Sequence, residues 1–191
     1  MARPPKPVAA DPDADLVVAA KADPTQFREL YDRYFPRVHG YVRLRLRDRA
    51  SCEDATSQVF LTALAQLHTF RGEGNFAAWL FRIAQHAMQR SYRAQQRQPS
   101  LPNEEVEEAL AALPDSAPGP EEQALASERR TELRSLLYTL DPAEQHLLAL
   151  RFGAGLSTQE IARLLGKSGV AVRVSLHRTL KGLRRRYNDE D

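Results

Sequence analysis

The stretch RQPSLPNEEVEEALAALPDSAPGPEEQAL, beginning at Arg97, constrains this chain more than any other. It holds five prolines, one glycine and a run of glutamates. Proline at that density removes backbone donors and breaks helices, and so polar a composition cannot bury enough apolar surface to stay ordered. No packed core can run through it. The chain of 191 residues must therefore build its structure in two blocks, one on either side. The stretch itself reads as a flexible linker with a short helical patch over Glu104–Leu113.

Charge divides at the same places. Residues 21–97 carry 13 Lys+Arg against 7 Asp+Glu, residues 98–127 carry none against 7, and residues 128–191 carry 12 against 8. Two basic blocks thus flank an acidic one, although the whole chain sums to only +2. Arginine outnumbers lysine, which suits forked contacts with phosphates or carboxylates. Charge alone fits two solvated helical domains as well as it fits a nucleic-acid binder. Cys52 is the only cysteine, so an internal disulfide framework and a thiolate metal cluster are excluded. The five histidines, at 39, 68, 86, 146 and 177, form no HExxH or other close ligand pair. No apolar run reaches the roughly 20 residues of a membrane span, and MARPPKPVAADPDA lacks a signal-peptide core, so export is not expected.

Both blocks read as helical, and no stretch alternates as a strand should. Asp23-Pro24-Thr25-Gln26 has the form of a helix start. Phe27, Leu30, Tyr31, Tyr34, Val38 and Tyr41 then fall on one face, with Pro36 expected to kink or split the helix. Ser51-Cys52-Glu53-Asp54 reads as a second start, before Val59, Phe60, Ala63, Leu64 and Leu67. In the last block Leu133, Leu136, Leu137 and Leu140 line one helix, and Asp141-Pro142-Ala143-Glu144 and Ser157-Thr158-Gln159-Glu160 start two more. The expected architecture is all-α, in two small bundles that each fold alone.

LSTQEIARLLGKSGVAVRVSLHRTL has the form of a helix-turn-helix. Ile161, Ala162 and Leu165 point inward from a capped short helix, Gly166 permits the turn, and the next helix returns an inner stripe of Val172, Leu176, Leu180 and Leu183. Lys167, Ser168, Gly169, Ala171, Arg173, Val174 and Arg178 then lie near the exposed N-terminal part of the recognition helix, which enters the major groove in this motif. A helical hairpin that binds protein is the alternative for the same spacing, but it does not require the cap, small residue and glycine to coincide.

FRGEGNFAAWLFRIAQH, residues 70–86, poses a different problem. At 100° per residue Phe76, Leu80, Ile83 and Ala87 cluster on one face, expected to meet the core. Trp79, Arg82, His86, Gln89 and Arg93 form a second stripe. An aromatic mixed with cations and hydrogen-bonding groups suits single-stranded nucleic acid: arginines meet phosphates, and base faces stack. The preceding loop, with Phe70, Arg71, Gly72, Gly74 and the cap Asn75, can approach a strand closely or close round an extruded base. Taken singly, Trp79 reads as a core-edge residue and His86 as a surface histidine.

With these segments in order, the chain resembles the bacterial sigma factors of the extracytoplasmic-function group, which keep only sigma regions 2 and 4. FRELYDRYFPRVHGYV is similar to the opening helix of region 2, and CEDATSQVFLTALAQL to its polymerase-docking helix. FRGEGNFAAWLFRIA resembles the element that recognises and melts the −10 promoter region, and LDPAEQHLLALRFGAGLSTQEIARLLGKSGVAVRVSLHRTLKGL resembles region 4, which reads the −35 element.

The resemblance implies a disordered N-terminus over 1–15, region 2 over 16–97, an acidic linker over 98–127, region 4 over 128–187 and a tail over 188–191. It also implies a non-enzymatic protein without cofactor or metal, in the cytoplasm and on the nucleoid when in holoenzyme. Its partners would be core RNA polymerase (β′ clamp helices and β flap), promoter DNA and an anti-sigma factor, with no membrane insertion. By the same resemblance Glu53, Asp54 and Gln58, supported by Leu61 and Leu64, would meet polymerase. Phe70, Arg71, Gly72, Asn75, Trp79, Arg82, His86, Gln89 and Arg93 would hold −10 bases. Lys167, Ser168, Gly169, Ala171, Arg173, Val174 and Arg178 would read −35 duplex. This sequence has Ala55, Ser57 and Gln58 where the family commonly has Leu, Gln and Glu, and His86 where asparagine is common.

Two other classes compete. A helix-turn-helix regulator acting on duplex DNA explains residues 128–187 equally well, but gives no reason for the Trp79 stripe. A protein adaptor without DNA contact predicts that charge reversal at Arg173 and Arg178 leaves function intact. The linker spans about 30 Å when relaxed and about 100 Å when extended. Promoter sites two helical turns apart are about 70 Å from one another, so free in solution the two domains should sit closer together than on DNA.

Overall fold

The computed structural model describes residues 11–46, 48–72, 75–95, 129 and 131–189, and among these there is no strand. Helices α1 (Ala14–Ala22), α2 (Phe27–Arg43), α3 (Arg49–Gln66) and α4 (Phe76–Gln95) form an N-terminal bundle. Helices α5 (131–138), α6 (Pro142–Leu148), α7 (Thr158–Leu165) and α8 (Gly169–Asp189) form the C-terminal one. The linker over 98–127 with its expected helical patch, and Gly74 in the loop before α4, lie outside the described residues.

Capping chemistry sets most helix starts. Ser157 and Glu160 form both bonds of a capping box at α7, and Asp141 accepts from Ala143 N at 2.8 Å with Pro142 in the first turn of α6. Gly166 closes α7 at φ 64°, a left-handed conformation that a side chain would strain. Asp23 caps a short 3₁₀ turn, Pro24–Gln26, that runs directly into α2.

Several expectations shift. α3 starts at Arg49, not Ser51, because Asp48 accepts the Ser51 N–H at 2.7 Å. α2 is not split: it runs through Pro36, which is exposed, so the carbonyl that proline leaves unpaired can face water. The folded part begins before the expected residue 16. Asp13 is buried and accepts from Arg33 and from the Tyr34 hydroxyl. At the other end α8 extends to Asp189, into the expected tail. Its inner stripe is Val172, Leu176, Thr179 and Leu183, while Leu180 is 43% exposed. Thr179 falls within about 20° of Val172 in projection and Leu180 about 80° away, so helix geometry selects the threonine. On α7 Leu164 is buried more deeply than Leu165.

The bundles do not stand apart, because their buried residues form one continuous cluster. After α6 the backbone widens into a π-turn, Ala149–Gly153, with Ala154 N bonded to Ala149 O at 2.8 Å. This turn lies against α2. A Cβ on Gly40 would meet Gly153 O at 2.6 Å, and one on Gly153 would meet Gly40 O at 2.5 Å. Around the two glycines, Arg37 Nε donates to Ala154 O at 2.8 Å and the Tyr138 hydroxyl donates to Leu46 O at 3.0 Å.

His146 lies inside this seam. Its Nδ1 is 3.0 Å from the Tyr41 hydroxyl and 2.7 Å from Arg45 Nη1. A guanidinium only donates, so Nδ1 accepts and the ring is neutral. Nε2 is buried with no partner among the described residues. Burial first, then the Arg45 charge, lowers the imidazole from its ordinary 6.5 to about 4. A depressed base favours the neutral folded form. Its contribution is complete above pH 6.5 and is lost as pH falls towards 4. Near pH 5.5 the loss is about 1.4 kcal/mol. Small-angle scattering and urea midpoints should therefore show a looser, weaker chain near pH 5.5 than at neutrality. Identical behaviour at both would contradict the buried neutral ring.

Candidate nucleic-acid interface

The start of α4 is capped from two directions. Asn75 Oδ1 accepts from Ala78 N at 2.9 Å, and Asp11 Oδ2 accepts from Phe76 N at 2.8 Å. Phe76, Leu80, Ile83 and Ala87 are buried, as the spacing predicts. Phe81, Ala84 and Met88 are buried too, because α4 packs against α2, α3 and α7 and has a wider inner face than one stripe.

Trp79 is half-buried, its ring leaning on Phe70 at 5.5 Å and Phe76 at 5.6 Å. Arg82, His86 and Gln89 are exposed along the same side of α4. Arg71 is exposed and Gly72 takes φ 76°, a turn suited to glycine. Phe70, expected to touch bases, is buried, with its ring against that of Trp79. The side chain of Arg93 lies outside the described residues.

On α8 the Ser168 hydroxyl accepts from Ala171 N at 3.1 Å and caps the helix. Lys167, Ala171, Arg173, Val174 and Arg178 are exposed and Gly169 is half-buried. Lys167 just before α8, and Arg173, Val174 and Arg178 within its first three turns, are thus accessible beside the exposed Val170.

A third surface lies on α3. Glu53, Asp54 and Gln58 are exposed, Leu61 is 63% exposed and Leu64 is 39% exposed. Glu53 pairs with Arg49 at 2.7 Å. An aromatic ridge that periodicity assigned in part to the core packs on Phe60 of the same helix. Tyr31 and Phe35 of α2 are both exposed, and their rings pack on Phe60 at 4.6 and 6.4 Å. Tyr31 sits at the edge of the inner stripe, and only the position of α3 decides that it faces out. Cys52, on the same helix, is buried, and burial pushes its thiol up to about 11. So protonated a thiol is a poor nucleophile.

Comparison with known proteins follows this layout. The family model described as Sigma-70 region 2 matches residues 30–98, and Sigma-70, region 4 matches residues 136–185. The chain is 32% identical over 188 residues to the ECF RNA polymerase sigma factor BldN of Streptomyces coelicolor, across 95% of this chain and 70% of that one. It is 33% identical over 177 residues to the ECF RNA polymerase sigma factor SigD of Mycobacterium tuberculosis, across 90% and 82%. Among solved structures, CnrH in complex with the cytosolic domain of CnrY aligns with TM-score 0.68 at 24% identity, over 95% of this chain and 100% of that one. The sigma factor RpoE in complex with the anti-sigma factor NepR from Bartonella quintana aligns with TM-score 0.58 at 18% identity, over 83% and 94%.

Proposed function

Because the chain belongs to the sigma-70 family, in its extracytoplasmic-function group, we propose that it binds core RNA polymerase through α3, reads −35 duplex with the start of α8 and holds melted −10 bases on the Trp79 side of α4. The observation that carries this reading is the composition of that side. A tryptophan supported from beneath by two phenylalanines lies in line with exposed Arg82, His86 and Gln89. An intact duplex offers no base face to such a ring, whereas a separated strand does.

Energetics assign the work to a complex. Separating about ten base pairs costs about 14 kcal/mol at about 1.4 kcal/mol per step. Each base stacked on an aromatic returns about 1–3 kcal/mol. Two or three captured bases do not melt a promoter, so polymerase must supply the remaining contacts. The exposed Leu61, Leu64, Tyr31 and Phe35 surface is of the kind a large partner covers. The same surface would serve an anti-sigma factor, the class of partner seen with RpoE. The place of action is the cytoplasm, where polymerase is, and no covalent chemistry is required of the chain.

Run-off transcription with core polymerase on a promoter library tests the reading. It should yield discrete transcripts only when this chain is added, and permanganate should find reactive thymines only when core is present as well. No promoter-specific transcript with core, alongside tight duplex binding by the chain alone, would instead identify a duplex-only regulator.

A further inference from the structure

Helix α1 precedes the residues matched to region 2, yet both of its ends reach into the Trp79 site. At one end Asp11 Oδ2 accepts the Phe76 N–H at 2.8 Å. At the other, the Lys21 ammonium donates to the Phe70 carbonyl and lies 5.9 Å from the centre of the Phe70 ring. Phe70 and Phe76 are the two residues on which Trp79 leans, and their own rings meet edge to face at 6.0 Å. Two side-chain anchors, Asp11 in the turn before α1 and Lys21 in its last turn, therefore fix both halves of the platform beneath a single aromatic.

The anchors are themselves held. Asp11 Oδ1 accepts from Asp13 N at 3.2 Å, and Asp11 O accepts from Ala14 N at 3.1 Å, so the Asp11 carboxylate is fixed in a tight turn. Asp13 is tied to Arg33 and Tyr34 of α2, and Tyr34 meets Phe76 edge-on at 5.3 Å. Val17 and Ala20 are buried and seat α1 between those ends. At the start of α4 the free N–H groups are shared: Asn75, within the loop, takes Ala78, and Asp11, from outside it, takes Phe76.

We propose that residues 11–22 are a positioning clamp for strand capture, in which Asp11 and Lys21 set the plane and depth of the Trp79 ring. This rests on the reading of the Trp79 side as a strand-binding face. Stacking depends on ring orientation, so a platform free to rock loses capture without losing the fold. Asp11 and Lys21 touch no base; they act through Phe76 and Phe70.

The test uses full-length chain in holoenzyme and a labelled single-stranded oligonucleotide carrying the preferred −10 sequence. Asp11→Ala and Lys21→Met should each weaken strand binding about tenfold, the scale of one impaired stacking contact. Asp11→Asn retains one of the two accepting oxygens, so it should bind between Asp11→Ala and wild type. Affinity for core polymerase and for −35 duplex should not change. Trp79 is the only tryptophan of the chain, so its emission anisotropy in the free protein reports this ring alone. It should fall in Asp11→Ala at unchanged helix content and fall less in Asp11→Asn. Wild-type strand binding by both clamp variants, with loss in Trp79→Ala, overturns the clamp and leaves the strand-binding face intact. Wild-type binding by Trp79→Ala overturns both. A parallel fall in core affinity would reduce Asp11 to a general fold contact and overturn the clamp as well.

Discussion

Replacing Gly40 or Gly153 by alanine should separate the two bundles while leaving each folded. The added Cβ would meet backbone carbonyl oxygen at 2.6 Å from Gly40 and at 2.5 Å from Gly153. Backbone cannot swing aside as a flexible side chain can, so relief must come from moving α2 away from the π-turn. Neither glycine has a positive φ, so alanine introduces no conformational strain of its own. Gly40 lies inside α2, where alanine is favoured over glycine by about 0.5–1 kcal/mol. The N-terminal bundle taken alone should therefore gain stability as the seam loses it. Overpacking a tight contact costs about 1–3 kcal/mol, which shifts the closed-to-open ratio about 5- to 150-fold.

Scattering would show this as a larger radius of gyration, and the Arg37–Ala154 and Tyr41–His146 bonds would be lost with it. There is a functional consequence. The seam brings the start of α4 against α7, where Asn75 Nδ2 lies 3.5 Å from Glu160 Oε1. Promoter elements about 70 Å apart cannot be held by two bundles in van der Waals contact. An opened variant should therefore compete better than wild type for limiting promoter and core. An unchanged radius would mean that the glycine contact does not set the closed arrangement.

What the sequence made legible was local. Asp141, Ser157 with Glu160, Gly166 and the inner face of α4 each depend on residues within one or two helical turns, and all lie where spacing puts them. Misses came from two sources. Some were local signals read wrongly: Asp48, not Ser51, caps α3, and Thr179 is better centred on the stripe than Leu180. Others needed the fold. Nothing near Tyr31 says that its edge of α2 stays uncovered, and nothing near Gly40 names a partner 113 residues away. The π-turn at Ala149–Gly153 shifts the helical register, so a strict 3.6-residue projection cannot carry through it. Asp11 and Lys21 were invisible for the same reason, since each bonds a backbone atom about fifty or more residues distant.

Substituting Trp79 and Arg82 together by alanine should cut initiation from a double-stranded promoter by one to two orders of magnitude. The ring loses a stacked base, worth about 1–3 kcal/mol, and Arg82 is exposed beside it, free to meet the strand backbone. On duplex the opening step is finely balanced, so that loss appears directly in the fraction of open complexes. A template with a pre-melted −10 bubble removes the opening cost, and the open state then dominates even with weakened contacts. Comparing initiation by wild type and the Trp79→Ala/Arg82→Ala variant on duplex and bubble templates, in reconstituted holoenzyme, is the most direct measurement. Capture of separated strands predicts a large deficit on duplex that the bubble mostly restores. Wild-type initiation on duplex, or a deficit the bubble leaves untouched, would contradict it.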